Sequence, residues 1–265
     1  MFAKKHIKAF IVLFFMSAVI IGQTSNESKV VKVLSFNILH GANTDGSFDL
    51  DIIANVIQKA DADFVSLQEV DFKTKRAKEY DLTTELGYRT KMTSVFGRAM
   101  YYDGGEYGEG VLSKYSFLST RNVALPYTKG NEPRTALEVT TVLKSGDTIS
   151  FIGTHLDHLK EDTDRVSQAK EINRIFSKNR FPTILSGDLN DIPNSKVINI
   201  LENYWKASYK KKNPLKTYPT IKPTQKIDYV LFYPSNRWEV VKRETICDTK
   251  ASDHCGYLVT LKLLD

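Results

Sequence analysis

The chain has 265 residues, 42% of them hydrophobic and 26% charged, which suits one large α/β domain or two small ones and is ordinary for a globular protein. The formal charge is +6, but Lys4, Lys5 and Lys8 belong to an N-terminal leader, and without those three of the 37 basic residues, 34 face 31 acidic ones. A balance of about +3 does not by itself argue for a nucleic-acid partner.

The three lysines precede a run over 9–21 that is apolar except for Ser17, followed by Gly22 and a polar stretch over 23–28. That order describes a secretory signal, and the apolar run is short against the roughly 20 residues of a spanning helix. Residues 1–22 are therefore expected to be cleaved, with 23–29 a short polar leader and 30–265 the folded domain. This places the protein outside the cell or in the periplasm rather than on a retained membrane anchor.

Val30 to Phe36 has a buried-strand pattern, 49–60 a helical one with Leu50, Ile53, Val56 and Ile57 on one face, and 64–67 a second short strand. A weak helix is expected over 80–86. The glycine- and tyrosine-rich stretch from Tyr101 to Gly108 reads as a loop before a strand at 110–112. Strands follow over 116–125, 135–142 and 148–154, the last two joined by a hairpin turn at 144–147. A helix at 162–178, a strand at 183–185 and a helix at 195–201, capped by Ser195 or Asn194, come next. Strands at 227–232, 238–246 and 257–263 close the pattern. Strand, helix, strand at the start and packed strands later predict two sheets face to face with helices outside. Cys247 and Cys255 flank the segment holding Asp253 and His254; a disulfide and two buried thiols both remain open, because spacing does not establish bridge geometry.

Six short motifs follow strand-like runs: Leu34-Ser35-Phe36-Asn37, Leu67-Gln68-Glu69-Val70-Asp71, Gly153-Thr154-His155-Leu156-Asp157, Ser186-Gly187-Asp188-Leu189-Asn190, Ile227-Asp228-Tyr229 and Ser252-Asp253-His254. Together they supply what phosphate-ester hydrolysis needs: oxygen ligands for a hard cation, a group to activate water, and a proton donor. Glu69 sits where a strand delivers a ligand to a sheet edge. Asp188 and Asn190 share one turn, a carboxylate for water and an amide for phosphate. Outside the leader the chain has four histidines, and His155, His158 and His254 lie in or beside motifs. Asp228 is the expected partner that orients His254. Asn37 is a neutral amide able to orient a phosphate or a carboxylate. Arg134, in Glu132-Pro133-Arg134, is a phosphate clamp or an ordinary surface arginine. His40, Asp71, Asp157 and His158 are expected in supporting roles. The Tyr101 to Gly108 loop is a candidate cleft wall. The run from Lys206 to Lys216, with its interleaved aromatics, reads equally as an anion-binding patch or a solvated loop.

The ordered set Asn37, Glu69, His155, Asp188, Asn190, Asp228, Asp253 and His254 resembles the endonuclease/exonuclease/phosphatase superfamily, which shares the fold of deoxyribonuclease I. The resemblance spans about residues 30 to 264 and implies a four-layer α/β sandwich, two central mixed sheets flanked by helices, with Mg²⁺ or Mn²⁺ dependence. It implies metal binding by Glu69, Asp253 and Asn37, water activation by Asp188, phosphate contacts by Asn190, Asn37 and Arg134, proton transfer by His155, and an Asp228–His254 pair. The second glutamate of the deoxyribonuclease I branch has no clear match, and Glu106 and Glu109 are candidates by position alone. The stretches Gly105 to Tyr115 and Glu132-Pro133-Arg134 look more like secreted bacterial hydrolases related to sphingomyelinases. The leading expectation is thus a secreted, monomeric, metal-dependent phosphodiesterase or phosphatase whose partner is a phosphate-ester substrate. Membrane contact would come through a lipid substrate or an uncleaved N-terminus. The alternatives are an extracellular nuclease, which should show a basic groove and steep salt dependence, and a non-catalytic binding module on the same fold.

Overall fold

A computed structural model describes residues 29–265, so the expected signal segment lies outside the described residues. In chain order the elements are β1 (Val30–Asn37), α1 (Leu50–Ala60), β2 (Phe64–Phe72), α2 (Leu82–Thr90), β3 (Thr93–Tyr102), β4 (Gly105–Ser113), β5 (Phe117–Ala124) and β6 (Thr135–Val142). They continue with β7 (Thr148–His155), α3 (Thr163–Phe176), β8 (Thr183–Asp188), α4 (Lys196–Glu202), β9 (Lys206–Ala207), β10 (Asp228–Tyr233), β11 (Trp238–Ile246) and β12 (Gly256–Leu263). No helix among the described residues is long and apolar enough to cross a membrane.

Two mixed six-stranded sheets form, in the orders β11-β12-β1-β2-β4-β3 and β5-β6-β7-β8-β10-β9. The apolar pattern explains their stacking. Along each central strand, successive buried residues go to different cores: Val33 and Phe64, Phe151, Ile184 and Val230 meet between the sheets. Their neighbours Leu34 and Val65 face α1 and α2, and Ile152, Leu185 and Leu231 face α3 and α4. Strands buried on both faces read as continuous apolar runs rather than alternating ones. The result is the expected four-layer sandwich. α1 is capped by the Asp49 side chain, which accepts from the Asp51 N–H, and α4 by Ser195, which accepts from Ile198.

The Phe64 ring lies 5.2 Å from Phe151 on the facing sheet and 5.5 Å from Tyr115. Phe64→Ala is therefore expected to destabilise the domain by about 3–5 kcal/mol, through lost burial and an unfilled cavity. Chemical denaturation would check this, and a loss below about 1 kcal/mol would mean that the sheets close over the gap.

One expectation is corrected. Tyr101 to Gly108 is not a loop: β3 and β4 pair from Thr93↔Ser113 to Tyr102↔Gly105, turning at Asp103 and Gly104, both with positive φ. The alternation in β3 is weak because this strand is an edge with much of its surface exposed, so no apolar run announces it. The weak helix expected at 80–86 is α2, shifted to Leu82–Thr90.

Register brings the motifs to one edge of the sandwich. β1 and β2 run parallel with Asn37 opposite Gln68, and β7 and β8 run parallel with His155 opposite Asp188. β10 is antiparallel to β8, so its first residue, Asp228, also falls beside Asp188. Gly187 permits the close approach of β7 and β8, since a Cβ there would collide with the Thr154 carbonyl oxygen.

Candidate active site

At this edge lies a cleft of about 540 Å³, lined by Glu69, Arg134, His155, Asp188, Asn190, Asp253 and His254 among others. Local backbone distortions aim the key side chains. The pairing of β2 with β4 slips between Leu67 and Val70, and Glu69 within this bulge has φ 56°. A bulge of this kind re-aims a side chain at a sheet edge, and a non-glycine residue in that region is held there by its surroundings. Asn190, with φ 49°, turns back immediately after β8.

A continuous polar chain crosses the cleft floor. Asn37 Nδ2 donates to Glu69 Oε1 at 3.1 Å and to Asp188 Oδ2 at 3.3 Å. The Asn190 N–H donates to Asp188 Oδ1 at 2.9 Å. His254 Nε2 stands 3.7 Å from Asp188 Oδ2, and its Nδ1 faces Asp228 Oδ2 at 3.1 Å and Oδ1 at 3.3 Å. The Tyr218 ring packs against His254 at 4.8 Å. Asn37, Asp188 and Asp228 are almost wholly buried, whereas Glu69 and Asn190 are partly exposed to the cleft.

Burial in the company of like and unlike charges sets the protonation states. Burial opposes the charge on Glu69, but hydrogen bonds from His40 and Asn37 hold its carboxyl down, at about 2. Burial and the neighbouring Asp228 push Asp188 up to about 7, against the pull of His254. Burial alone would discharge His254, yet Asp228 and Asp188 outweigh it and raise the imidazole to about 10.

His155 is the opposite case. Its Nδ1 meets Arg134 Nη1 at 3.0 Å and its Nε2 meets the Asn190 amide nitrogen at 2.8 Å. A guanidinium can only donate, so Nδ1 accepts from Arg134 and the single proton of the ring sits on Nε2, which also faces Asp188 Oδ2 at 3.6 Å. Burial and Arg134 accordingly push His155 well below its usual range. The histidine expected to transfer a proton is a neutral imidazole, and the cationic one is His254.

Arg134 is not a surface arginine. It is 2% exposed; besides His155, its guanidinium reaches His158 Nδ1 at 3.1 Å, Glu132 at 3.0 Å and the Tyr107 hydroxyl at 3.5 Å, and its Nε has no partner among the described residues. The group on His155 Nδ1 is thus Arg134 and not a glutamate. Of the two candidates, Glu106 pairs with Arg98 at 2.8 Å and does not line the cleft. Glu109 is fully buried; neither carboxyl oxygen has a hydrogen-bond partner among the described residues, and burial pushes it well above the usual carboxylate range.

Asn37 Oδ1 accepts from the Leu39 N–H at 3.1 Å, so the amide turns its NH₂ toward the carboxylates of Glu69 and Asp188. Asp71 and Asp157 are structural: Asp71 takes a two-pronged contact from Arg76 at 2.6 and 2.8 Å, and Asp157 accepts from the Leu159 N–H at 3.0 Å. His40 lies 3.5 Å from Glu69. None of Lys206 to Lys216 lines the cleft, whereas Arg76, Tyr102, Tyr107, Tyr218 and Gln225 do. These last five carry no motif, and no sequence signal marked them apart from the tyrosines of the 101–108 stretch.

The donor set fits a hard divalent cation, which takes oxygen ligands. The residues whose ligand atoms all lie within 4.8 Å of one another are Asp188, Asp228 and His254. In that trio a charged His254 already satisfies both carboxylates and has no lone pair to offer. Glu69 and Asp253, both facing the cleft, have carboxylates that no arginine or lysine among the described residues pairs, so they are the better seat.

A two-sheet sandwich with acids, amides and histidines gathered at one edge defines a phosphoric ester hydrolase. Residues 34–254 match the model of the endonuclease/exonuclease/phosphatase family, and the chain belongs to that family, whose members hydrolyse phosphoric esters and are typically dependent on a divalent metal. Among solved structures, an endonuclease/exonuclease/phosphatase from Beutenbergia cavernae superposes with a TM-score of 0.70 at 23% identity, covering 88% of this chain and 72% of that one. A functionally unknown conserved protein from Enterococcus faecalis gives 0.73 at 20% identity, covering 88% and 100%. A mannosyl-6-phosphatase from Bacteroides thetaiotaomicron gives 0.67 at 19% identity, covering 87% and 99%.

Proposed function

We propose that the protein is a secreted, Mg²⁺- or Mn²⁺-dependent phosphoesterase in which water attacks phosphorus. The observation that supports this best is the run of contacts Glu69–Asn37–Asp188–His254–Asp228, drawn from strands of both sheets and from the loop between β11 and β12. A cation held by Glu69 and Asp253 would supply charge neutralisation at the phosphoryl oxygens and a more acidic water. Asp188 Oδ2 orients the attacking water and takes its proton; a carboxyl near 7 is well matched to that exchange at neutral pH. As the new P–O bond forms, the bond to the leaving oxygen breaks. His254, kept charged by Asp228, stabilises the negative charge that develops. Asn190 and the neutral His155 supply hydrogen bonds to a phosphoryl oxygen, and Arg134 holds His155 and His158 in place from behind. The Cys247–Cys255 disulfide agrees with an oxidising compartment, as expected of a secreted chain.

Residues 23–265 would be assayed with Mg²⁺ or Mn²⁺ on a bis-aryl phosphodiester and on the matching monoester, each with an EDTA control. Cleavage abolished by EDTA is expected. Diester turnover directs the search to lipids and nucleic acids, and monoester turnover alone directs it to sugar or inositol phosphates, the latter in line with the mannosyl-6-phosphatase neighbour. A folded, metal-binding protein that cleaves neither ester would overturn the reading in favour of a binding module.

Arg134→Lys is expected to lower kcat/KM by about 10²-fold, because a point charge cannot replace a planar fork that holds two histidines at once. Steady-state kinetics check this, and a loss under threefold would remove Arg134 from the machinery.

A further inference from the structure

We propose that Cys247 and Cys255 are positioning residues for Asp253 and His254, so that reducing their disulfide slows turnover while the sandwich remains folded. This rests on the functional reading of Asp253 and His254 given above.

The bridge joins the ends of β11 and β12, with Cα atoms 4.3 Å apart and a sequence separation of 8. Directly beneath it the last backbone pair is Ile246↔Gly256, and the pairing continues down to Trp238↔Leu263. β12 is also zipped to β1 from Ser35↔Tyr257 to Val30↔Lys262. The sheet is therefore complete without the crosslink. What the crosslink closes is the loop 248–254, whose last two residues belong to the site.

The anchors on this loop are unevenly placed. Its outer part is held by Thr44, whose N–H donates to the Lys250 carbonyl at 3.1 Å and whose hydroxyl donates to the Thr249 carbonyl at 2.6 Å. Ser252 Oγ donates to the Asn37 carbonyl at 2.7 Å, and Thr220 donates to the Ser252 and Asp253 carbonyls, each at 2.7 Å. Beyond Asp253 the chain is fixed by the Cys255 N–H, which donates to the Thr217 carbonyl at 2.8 Å, and by the bridge itself. His254 thus hangs between a set of individually modest hydrogen bonds and one covalent tie a single residue away. Its Nδ1 must stay on Asp228 for its Nε2 to face Asp188. Small displacements at such a position are costly, because the reacting geometry tolerates little error.

The two cysteines differ in exposure: Cys247 is exposed and Cys255 is fully buried. A reductant can therefore attack on the Cys247 side without unfolding the core. With a trialkylphosphine the balance is simple. The phosphine gives two electrons to the S–S bond and takes the oxygen of one water to become its oxide, and the two protons of that water complete the thiols.

The test uses residues 23–265, oxidised and phosphine-reduced, together with the Cys247→Ser/Cys255→Ser double variant. Turnover of the generic ester, Mn²⁺ binding to the metal-free protein by calorimetry, and backbone hydrogen exchange over 248–254 would be measured. Reduction is expected to speed exchange in that loop and to lower kcat by about 10–100-fold with KM nearly constant. Mn²⁺ affinity should fall by about tenfold, as when the support of a ligand is lost. Reoxidation should restore all three, and the phosphine should change nothing in the double variant. Unchanged kcat and Mn²⁺ affinity in a folded, reduced protein would overturn the proposal, as would global unfolding on reduction. If the double variant does not fold, the reduced natural protein decides. Should the oxidised protein cleave no ester, the functional reading fails alone, and Mn²⁺ affinity and loop exchange still judge the positioning claim.

Discussion

Glu69→Gln is expected to lower turnover by about 10³-fold or more, since the charge stabilisation a bound cation supplies is worth several kcal/mol and each 1.36 kcal/mol is tenfold in rate. The fold should survive. Glu69 lies in a bulge at the cleft rather than in a hydrophobic core, and an amide of the same shape can keep its place beside Asn37 and His40. Two measurements separate the loss of a ligand from damage to the fold: Mn²⁺ titration by calorimetry, and thermal unfolding with and without the metal. The natural protein should gain stability with added metal by binding linkage, and the variant should not. A variant that keeps both its activity and its metal-dependent Tm shift would show that the cation sits elsewhere. The Asp188–Asp228–His254 trio would then be the next place to look.

His254→Ala is expected to cost about 10²–10³-fold in kcat, the usual range for a lost group that stabilises developing negative charge. The structure adds a pH signature. The His254 imidazole is raised from 6.5 to about 10, with Asp228 and Asp188 outweighing burial. A group raised in the folded state contributes stability that is complete below its unfolded value of about 6.5 and is lost as pH climbs through about 10. The metal-free protein should therefore lose stability across that alkaline window, and His254→Ala should lose markedly less. Denaturation curves from pH 6 to 11 would show the difference. Identical pH profiles for the two proteins would mean that His254 is not held as a cation. A kcat change below about threefold would remove it from the reaction.

Much of the fold was legible because the central strands are buried on both faces. β1, β2, β7, β8 and β10 therefore stand out as apolar runs, with a polar motif at or near one end of each. β3 escaped notice because it is an exposed edge, and its turn into β4 looked like a flexible loop until pairing gave Gly104 a turn to make. The acids, amides and histidines of the site could be named because each sits beside a strand end, where chemistry and sequence coincide.

Residue type and order alone determined that this chain gathers acids, amides and histidines at strand ends, and that two sheets would carry them. Only the tertiary structure decided what each group is. His155 and His254 are the same residue type in similar motifs. Burial and the Arg134 guanidinium on its Nδ1 keep the first neutral, while Asp228 on its Nδ1, with Asp188 beyond, keeps the second charged. Asn37 became an orienting donor because the Leu39 N–H claimed its oxygen, and Arg134 moved from a candidate surface residue to the floor of the cleft. Proton affinity and hydrogen-bond direction are set by neighbours within a few ångströms, and for residues as far apart in the chain as Asp188 and Asn37 the neighbours exist only once the sheets have packed.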